Sequence, residues 1–473
     1  MVLVVNLLLL AACSSDALPP GDPQRPDVIL VSIDSLRPDR LGAYGHDRPT
    51  SPFVDSLAAS GLRYTEARAP SPWTLPSHVT MLSGRSPLDH GVVESDRQIP
   101  ADLPMVQEAF QKAGYRTAAF VSTIFVSETY GFARGFDRFE DFDIALADNL
   151  RHPARAELLV TEALSWARAQ DDAPIFLFLH LYDVHYPYLP PEPWNYQFDK
   201  PGSRRSTGYR TYDYHKSKPV APERWVHLKA QYDESLAYVD AQLARLGEAW
   251  AVSGRKVAWV VTADHGEELG ERGSWGHGHT LYPEVMRVPL IVSGASVPTT
   301  GVRDERVGLG DVPATLAALG GLGFATDGVD VRGPVPERDF VFDTSRKDSA
   351  RLGLLSGNRR LDVDLARERI DVFHVDRDPA ERIVTLDDAP ALEARLYARV
   401  GEAWTAAGSV VSPGWLFSGG KPLGHKFVGP GRFGVFPADS HIDGAAERDA
   451  PLPGAVTLSD KTREQLKALG YTE

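Results

Sequence analysis

The sequence predicts an α/β fold with a large, mostly parallel sheet and a small C-terminal α+β subdomain. Three short apolar runs lack the alternation of half-exposed strands, which is typical of buried parallel strands. Helix-like segments lie between and after these runs, and interleaved strands and helices indicate this fold class. The runs are Val28–Ile33, Ile175–Leu181 and Val257–Thr262, and the helical segments are Ser51–Ser60, Leu103–Ala113, Ala156–Ala169, Trp225–Leu246 and Val312–Leu319.

Composition places the chain among ordinary globular proteins. It has 473 residues, of which 43% are hydrophobic and 24% are charged, so wholesale disorder is excluded. The formal net charge is −14, from 50 Lys and Arg against 64 Asp and Glu. No block of clustered Lys and Arg is present, so we expect no nucleic acid partner. The length favours two unequal lobes.

The N-terminus has the pattern of a secretion signal. Residues 1–12 are apolar and uncharged but shorter than the roughly 20 residues needed to cross a bilayer. The stretch Leu10–Cys13 resembles a bacterial lipobox, in which the signal is cut before a cysteine that carries lipid. We therefore expect a signal peptide over 1–12, lipidation at Cys13 and a Pro- and Gly-rich tether over 13–26. The lipid would anchor the protein on the periplasmic or extracellular face of the cell envelope. The alternative is an apolar N-terminus with an incidental cysteine.

Polar residues follow each of the three apolar runs. Asp34 follows the first, Asp183 and His185 follow the second, and Asp264 and His265 follow the third. In an open parallel sheet, ligands bind beyond the carboxyl ends of the strands. These side chains are therefore expected at one edge of the sheet.

A short helix is predicted around Thr74. The segment is bracketed by Pro76, near the first turn, and by Gly84, just after the last residue of the helical pattern. Thr74 therefore lies at the helix N-terminus. The free amide groups and the helix dipole there favour an anion beside the Thr74 hydroxyl. Helix capping alone would also explain this residue.

The pattern of predicted elements changes after about residue 335. We assign 27–335 to a catalytic domain and 336–410 to the C-terminal subdomain, with short strands at Phe340–Asp343, Leu352–Leu355 and Ile370–Val375 and a helix at Ala391–Ala406. Residues 411–473 form a loop-rich tail that ends in the predicted helix Ser459–Leu469.

Motifs spread over most of the chain resemble those of the sulfatase family within the alkaline phosphatase superfamily. The resemblance begins at Asp27–Gly91, with DVILVSIDSLRPDRLGAYG and TLPSHVTMLSGRSP, and later motifs follow in the order of the family. It implies an alkaline-phosphatase-like three-layer α/β/α sandwich and a metal-dependent ester hydrolase. The later motifs are His180–Tyr188, Tyr232–Asp240, Thr262–Glu267, Arg287–Leu290, Asp311–Thr315, Phe373–Glu381 and Leu466–Tyr471.

The chain departs from the sulfatase pattern at the nucleophile. Sulfatases carry Cys-x-Pro-Ser-Arg, or Ser in the first place, and that residue is oxidised to formylglycine. The matching residues here are Thr74-Leu75-Pro76-Ser77-His78. Threonine cannot give an aldehyde by that oxidation, and His78 replaces the arginine.

In having a threonine at this position, the chain resembles the nucleotide phosphodiesterases and lipid-head-group phosphotransferases of the superfamily. The resemblance implies that Asp34, Thr74, Asp264 and His265 bind a divalent metal ion. Sulfatases usually have Asn where His265 stands and a second Asp where Ser35 stands. Compared with that sulfatase site, this one has an imidazole in place of an amide and has one carboxylate fewer. Both changes favour zinc or manganese as the bound metal, with calcium as the alternative.

Further residues are assigned through the same resemblance. His185 and His277 are expected to be catalytic, and His78, His279 and Arg37 to bind the substrate. His180 is a weaker candidate because it falls within the strand. Each loop histidine could instead bond only to backbone, and Arg37 could form an ordinary ion pair.

The sequence thus predicts a metal-dependent hydrolase that cleaves phosphate or sulfate esters of small molecules, glycans or lipids. Thr74 is the expected nucleophile and phosphorus the favoured centre. The alternatives are a sulfuric ester hydrolase proper, a head-group phosphotransferase, and a non-catalytic binding lipoprotein that retains the fold.

Overall fold

A computed structural model describes residues 17–142, 155–203, 220–344, 349, 351–364, 367, 369–406, 417–418 and 421–422. The predicted signal peptide, Cys13 and the predicted helix Ser459–Leu469 lie outside the described residues. Among the helices that are described, none is both long enough and apolar enough to cross a bilayer.

The main sheet has nine strands and runs in the order β10-β2-β9-β6-β1-β5-β3-β4, with β11 beside β2. All its neighbouring strands are parallel except at β9, which is antiparallel to both β2 and β6. A separate hairpin is formed by β7 and β8. The strands are β1 (Asp27–Ile33), β2 (Gly61–Arg68), β3 (Arg116–Val121), β4 (Arg138–Asp141), β5 (Ile175–Leu181), β6 (Val257–Thr262), β7 (Glu268–Leu269), β8 (Trp275–Gly276), β9 (Arg287–Gly294), β10 (Gly301–Arg303) and β11 (Val307–Gly308).

Helices form two layers around this sheet. Helices α1 and α5 both contact α6 on one side, and α2, α4 and α8 contact one another on the other. The predicted three-layer α/β fold is confirmed. The helices are α1 (Pro52–Ala59), α2 (Thr74–Ser83), α3 (Pro87–His90), α4 (Val106–Lys112), α5 (Ala156–Arg168), α6 (Pro222–Ser253), α7 (Pro283–Met286), α8 (Val312–Leu319) and α9 (Ala389–Ala406).

The three apolar runs form the centre of the sheet, where β1 lies between β5 and β6. Every residue of β1 and β5 is buried, which explains why their sequences are apolar without alternation. Strands β2, β3 and β9 were not predicted from the sequence. Helix α6 is longer than the predicted Trp225–Leu246 and ends where Gly254 adopts the left-handed conformation, with φ 71°.

A buried ion pair fixes the start of the central strands. Arg255 donates to both carboxylate oxygens of Asp27, at 2.6 and 2.8 Å, and Trp250 and the amide of Ile175 donate to the same carboxylate. Arg255 also donates to the carbonyls of Pro19 and Pro20. Leu18 is 5% exposed, so the expected tether packs against the catalytic domain from this residue onward.

The C-terminal lobe is a four-stranded antiparallel sheet, in the order β12-β13-β14-β15, on which α9 packs. It has its own apolar core, which includes Leu354, Leu361 and Leu396. Strand β14 was not predicted because its sequence RRLDVD is largely charged. The remaining strands are β12 (Phe340–Thr344), β13 (Arg351–Ser356), β14 (Arg359–Asp364), β15 (Arg369–His374), β16 (Phe417–Ser418) and β17 (Lys421–Pro422).

Candidate active site

Two aspartates meet at the carboxyl edge of the central strands, as the sequence predicts. Asp34 comes directly after β1, and its amide donates to the carbonyl of Leu181 at the end of β5. Asp264 lies two residues beyond β6. Both side chains are fully buried. The parallel register of β1, β5 and β6 therefore brings residues 230 positions apart into one cluster.

Ser35 holds the two aspartates together. Its amide donates to Asp264 Oδ1 at 3.2 Å and its hydroxyl donates to Asp34 Oδ1 at 2.8 Å. Tyr232 donates its hydroxyl proton to the Ser35 carbonyl at 2.7 Å. Ser35 has φ 61°, a left-handed conformation that costs a non-glycine residue energy and is concentrated at functional sites.

Thr74 is the first residue of α2. The backbone of Trp73 is extended before it, and Gly84 ends the helix with φ 75°. The amide groups of the first helical turn have no partner within the helix, and the dipole there favours negative charge. The Thr74 hydroxyl lies 3.4 Å from His265 Nε2. The predicted juxtaposition of Thr74 with the metal-ligand candidates is present.

His265 has the tautomer of a metal ligand. Its Nδ1 lies 2.8 Å from the carbonyl of Gly266, so this nitrogen carries the proton and donates it. Nε2 is then an acceptor, and it lies 3.3 Å from Asp264 Oδ2 and 3.8 Å from Asp34 Oδ1. A backbone carbonyl that fixes the ring in this way is the usual support of a metal-bound imidazole.

The cluster gathers buried carboxyl groups that could hold a cation. Asp264 Oδ2 is buried with no hydrogen-bond donor among the described residues. Burial, and next the charge of Asp34, raise the pKa of Asp264 well above its ordinary value. Burial also opposes ionisation of Asp34, yet the imidazoles of His185, His180 and His265 hold its pKa well below the usual range. The ligand atoms of Asp34, Asp264 and His265 lie within 4.8 Å of one another, a spacing that fits one metal ion.

His78 occupies a different place from the one predicted. It is completely buried behind Thr74, with Nδ1 2.9 Å from the Thr74 carbonyl and Nε2 3.0 Å from Ser32 Oγ. Burial, and next the nearby His180, lower its pKa well below the ordinary value. Both ring nitrogens already have protein partners, so the structure favours a structural role for His78 over the predicted contact with substrate. His78 instead ties the first turn of α2 to β1.

His180 is closer to the centre than the sequence indicates. Its Nε2 lies 3.2 Å from Asp34 Oδ2, and its Nδ1 has no hydrogen-bond partner among the described residues. His78, His180 and Asp264 also satisfy the spacing of a metal site. The sequence analysis gave His180 less weight because it lies within β5. Its position next to the last residue of that strand was the available signal.

His277 and His185 line the other side of the cluster. The ring centroid of His277 lies 4.2 Å from that of His265 and 4.9 Å from that of His185. Glu267, which was not predicted, is fully buried and lies with Oε1 3.0 Å from His277 Nδ1. Glu267 stands two residues after His265, within the motif Thr262–Glu267. This short distance in sequence was the only signal that could have marked Glu267 as a site residue.

Three further candidates have partners elsewhere. Arg37 pairs with Asp39 at 2.7 Å and with Glu271 at 2.8 Å, which is the ion-pair alternative rather than a substrate contact. His279 bonds to Ser274 Oγ and to the His277 carbonyl, both at 3.0 Å, and is partly exposed. Asp183 accepts from the Ala156 amide at 2.9 Å, so it caps α5.

The curated relatives of this chain include several sulfatases. It is 23% identical over 359 residues to a sulfatase of Formosa agariphila, covering 63% of this chain and 70% of that protein. It is 37% identical over 117 residues to human arylsulfatase A, which is 24% of this chain and 22% of that protein.

Solved structures agree on the fold. A phosphonate monoester hydrolase of Agrobacterium radiobacter superposes with a TM-score of 0.64 at 20% identity, covering 85% of this chain and all of that one. The structure of BT4656 in complex with D-glucosamine-2-N,6-O-disulfate superposes with a TM-score of 0.63 at 17% identity, covering 81% of this chain and 98% of that one.

The family model for sulfatases matches residues 26–322, a range that contains every member of the cluster. This match covers more than half of the chain, and the motifs that carry it supply the ligand set at the ends of β1 and β6. The chain belongs to the sulfatase family of the alkaline phosphatase superfamily.

Proposed function

We propose that this protein is a metal-dependent hydrolase that cleaves phosphate esters with Thr74 as its nucleophile. Family membership supports hydrolysis of sulfate or phosphate esters. One observation carries the finer assignment: the Thr74 hydroxyl lies at the N-terminus of α2, 3.4 Å from His265 Nε2 and beside the two buried aspartates. No formylglycine can form at a threonine, so attack by this hydroxyl is the chemistry open to the site.

Asp34, Asp264, His265 and Thr74 would hold the metal ion. One imidazole and two carboxylates favour zinc or manganese over calcium. A bound divalent ion lowers the pKa of a coordinated hydroxyl and stabilises negative charge that develops on the attacked group.

The remaining residues handle protons and orientation. Thr74 Oγ1 gives its proton to water and bonds to phosphorus, while the bond from phosphorus to the ester oxygen breaks. His277, held at Nδ1 by Glu267, gives the Nε2 proton to the leaving oxygen. Water then attacks the phosphothreonine and its proton passes to His277, while the bond from phosphorus to Thr74 Oγ1 breaks. Thr74 Oγ1 takes a proton back from solvent water, so the hydroxyl is restored as phosphate leaves.

A sulfuric ester hydrolase that uses Thr74 directly is the second candidate. It is favoured by the names of the curated relatives, which are mostly sulfatases. The phosphonate monoester hydrolase with the same fold supports phosphorus chemistry on this scaffold. The neighbour solved with a disulfated glucosamine supports a small-molecule or glycan ester as the substrate class.

The test compares the metal-loaded protein with Thr74→Ala and Thr74→Ser on an aryl phosphate, an aryl phosphodiester, an aryl phosphonate and an aryl sulfate. We expect kcat to fall about 1,000-fold or more in Thr74→Ala, because the nucleophilic oxygen is gone, and to remain measurable in Thr74→Ser.

Thr80→Ala is the matched control. Thr80 lies in the same helix, is buried, and contacts His90 at 3.2 Å rather than the cluster, so this variant should keep its activity. Full activity in Thr74→Ala would remove Thr74 from the mechanism. Turnover confined to the aryl sulfate would select the second candidate.

A further inference from the structure

A cavity of about 400 Å³ lies between the β7–β8 hairpin and the C-terminal sheet. Five arginines and one tyrosine form most of its wall, and among the described residues Glu268 is the one acidic residue that lines it. These six wall residues are Arg272, Arg351, Arg367, Arg369, Arg382 and Tyr282. The arginines come from two lobes, so the cavity exists only because the C-terminal sheet packs against the catalytic domain.

The deepest arginine is built into the protein. Arg351 is 4% exposed and donates from Nη2 to Asp364 at 2.6 Å, with Asp362 3.4 Å from Nη1. Arg272 packs its guanidinium over the Tyr282 ring, 3.7 Å from the centroid, and pairs with Glu284 at 3.2 Å. These contacts fix the orientation of both groups before any ligand arrives.

The outer arginines are more exposed. Arg369 pairs with Asp371 at 2.6 Å and keeps 51% of its side chain exposed. Arg382 is exposed, and its side chain donates from Nη1 to the Glu271 carbonyl at 3.3 Å. Each guanidinium has five N–H donors, so these contacts leave donors for a ligand.

The acidic partners reduce the positive charge that a ligand would meet, but they leave the wall lined mainly by guanidinium N–H donors. Asp362, Asp364 and Asp371 hold the guanidinium groups but are absent from the cavity wall. Glu268 does line the cavity, and it accepts a hydrogen bond from Thr280 Oγ1 at 2.5 Å. Arginine stays protonated at any physiological pH and binds carboxylate and phosphate groups with two parallel hydrogen bonds.

The cavity is separated from the candidate active site by the β7–β8 hairpin. Glu267, just before β7, holds His277 in the cluster, while the next residue, Glu268, lines the cavity. Ser274 and Thr280, on either side of His277 in the chain, also line it. One segment of chain is therefore the common wall of both sites.

We propose that this cavity is a second anion-binding site, distinct from the catalytic cluster, that takes a multiply charged oxyanion. Five guanidinium groups around about 400 Å³ offer paired donors to several ionised oxygens at once. Such a ligand carries at least two phosphate, sulfate or carboxylate groups. The site makes no use of Thr74 or of a metal ion.

Titration calorimetry with inorganic pyrophosphate tests this site. The full chain is used as Asp264→Asn and in the presence of EDTA, so that neither the catalytic cluster nor a metal ion contributes to binding. Saturable binding is expected, with Kd raised about tenfold or more when Arg369→Ala and Arg382→Ala are combined. Arg382→Ala alone should raise Kd by a smaller factor.

Arg138→Ala is the matched control, because Arg138 is 55% exposed and pairs with Glu140 two residues along a strand, as Arg369 pairs with Asp371. It should leave Kd unchanged. The proposal is overturned if pyrophosphate does not bind, or if the combined variant binds as well as the control. Binding by the wild type that Asp264→Asn abolishes would place the anion at the catalytic cluster and also overturn it. None of these outcomes depends on esterase activity.

Discussion

The hydrogen bond between Glu267 and His277 fixes which imidazole nitrogen faces the substrate. Glu267 Oε1 lies 3.0 Å from Nδ1, so Nε2 is the nitrogen available to the leaving group. Glu267 has no part in the proposed ligand set of the metal. It is a positioning residue, and its loss should change proton transfer more than substrate binding.

Glu267→Gln should therefore lower kcat by about 10- to 100-fold with little change in KM, because an amide holds the imidazole less well and does not stabilise its charged form. The expected signature is a larger loss with an alkyl leaving group than with a nitrophenyl one, which needs no proton. Kinetics with the two leaving groups and metal analysis measure this.

Glu234→Gln serves as the control for this change. Glu234 is also fully buried, but its carboxylate accepts from the amides of Tyr196 and Phe198 rather than contacting the cluster. Equal losses with both leaving groups in Glu267→Gln would mean that Glu267 does not act through the proton on His277.

Helix α5 begins against the turn that follows β5. Asp183 accepts from the Ala156 amide in the first turn of the helix, which joins a sheet strand to the outer layer. Burial is the main cause that raises the pKa of Asp183 to about 7, against the opposing effect of this hydrogen bond. The buried position of Asp183 thus makes the stability of the protein depend on pH.

Asp183→Asn should remove this dependence. The folded-state pKa is raised, so the folded protein binds the proton more tightly than the unfolded chain, and stability is lost as pH rises from about 4 to about 7. The loss has an upper limit of about 4 kcal/mol. Denaturant unfolding at pH 4.5 and pH 8 should show the variant gaining stability relative to the wild type at the higher pH.

Asp172→Asn, at an exposed loop position, provides the comparison for general effects of charge. A difference between wild type and Asp183→Asn that is the same at both pH values would contradict the argument.

Across the whole molecule, the candidate metal site joins segments that are far apart in sequence. Asp34 follows β1, Thr74 begins α2, and Asp264 and His265 follow β6. A metal ion can bind all of these only when the sheet and α2 are assembled. Binding should therefore stabilise the folded state by mass action.

Zinc or manganese added to the EDTA-treated protein should raise Tm, in keeping with about 2.7 kcal/mol of stabilisation at a free metal concentration 100 times Kd. Asp264→Asn should show little or no rise. Asp343→Asn is the control and should respond like the wild type. Asp343 is also a buried carboxyl group without a hydrogen-bond partner among the described residues, but it belongs to neither candidate metal group. An equal rise in Asp264→Asn would place the ion elsewhere.

The sequence by itself determined the central strands and the residues that end them. Buried parallel strands need continuous apolar runs, and Asp34, Asp264 and His265 stand directly after such runs, so local pattern was sufficient. Thr74 was likewise marked by Pro76 and Gly84, which bracket α2. Strand β14 could not be predicted in this way, because its charged residues form buried ion pairs in the fold rather than facing solvent.

Tertiary structure alone decided what each remaining polar side chain faces. His78 and Arg37 have suitable chemistry for a substrate anion, yet one is buried behind Thr74 and the other is held by Asp39 and Glu271. The arginine cavity likewise combines side chains from two lobes. Residue type and spacing carry the chemical capacity of a side chain, but its partners depend on which elements pack together, and that contact is not encoded in any local stretch of the chain.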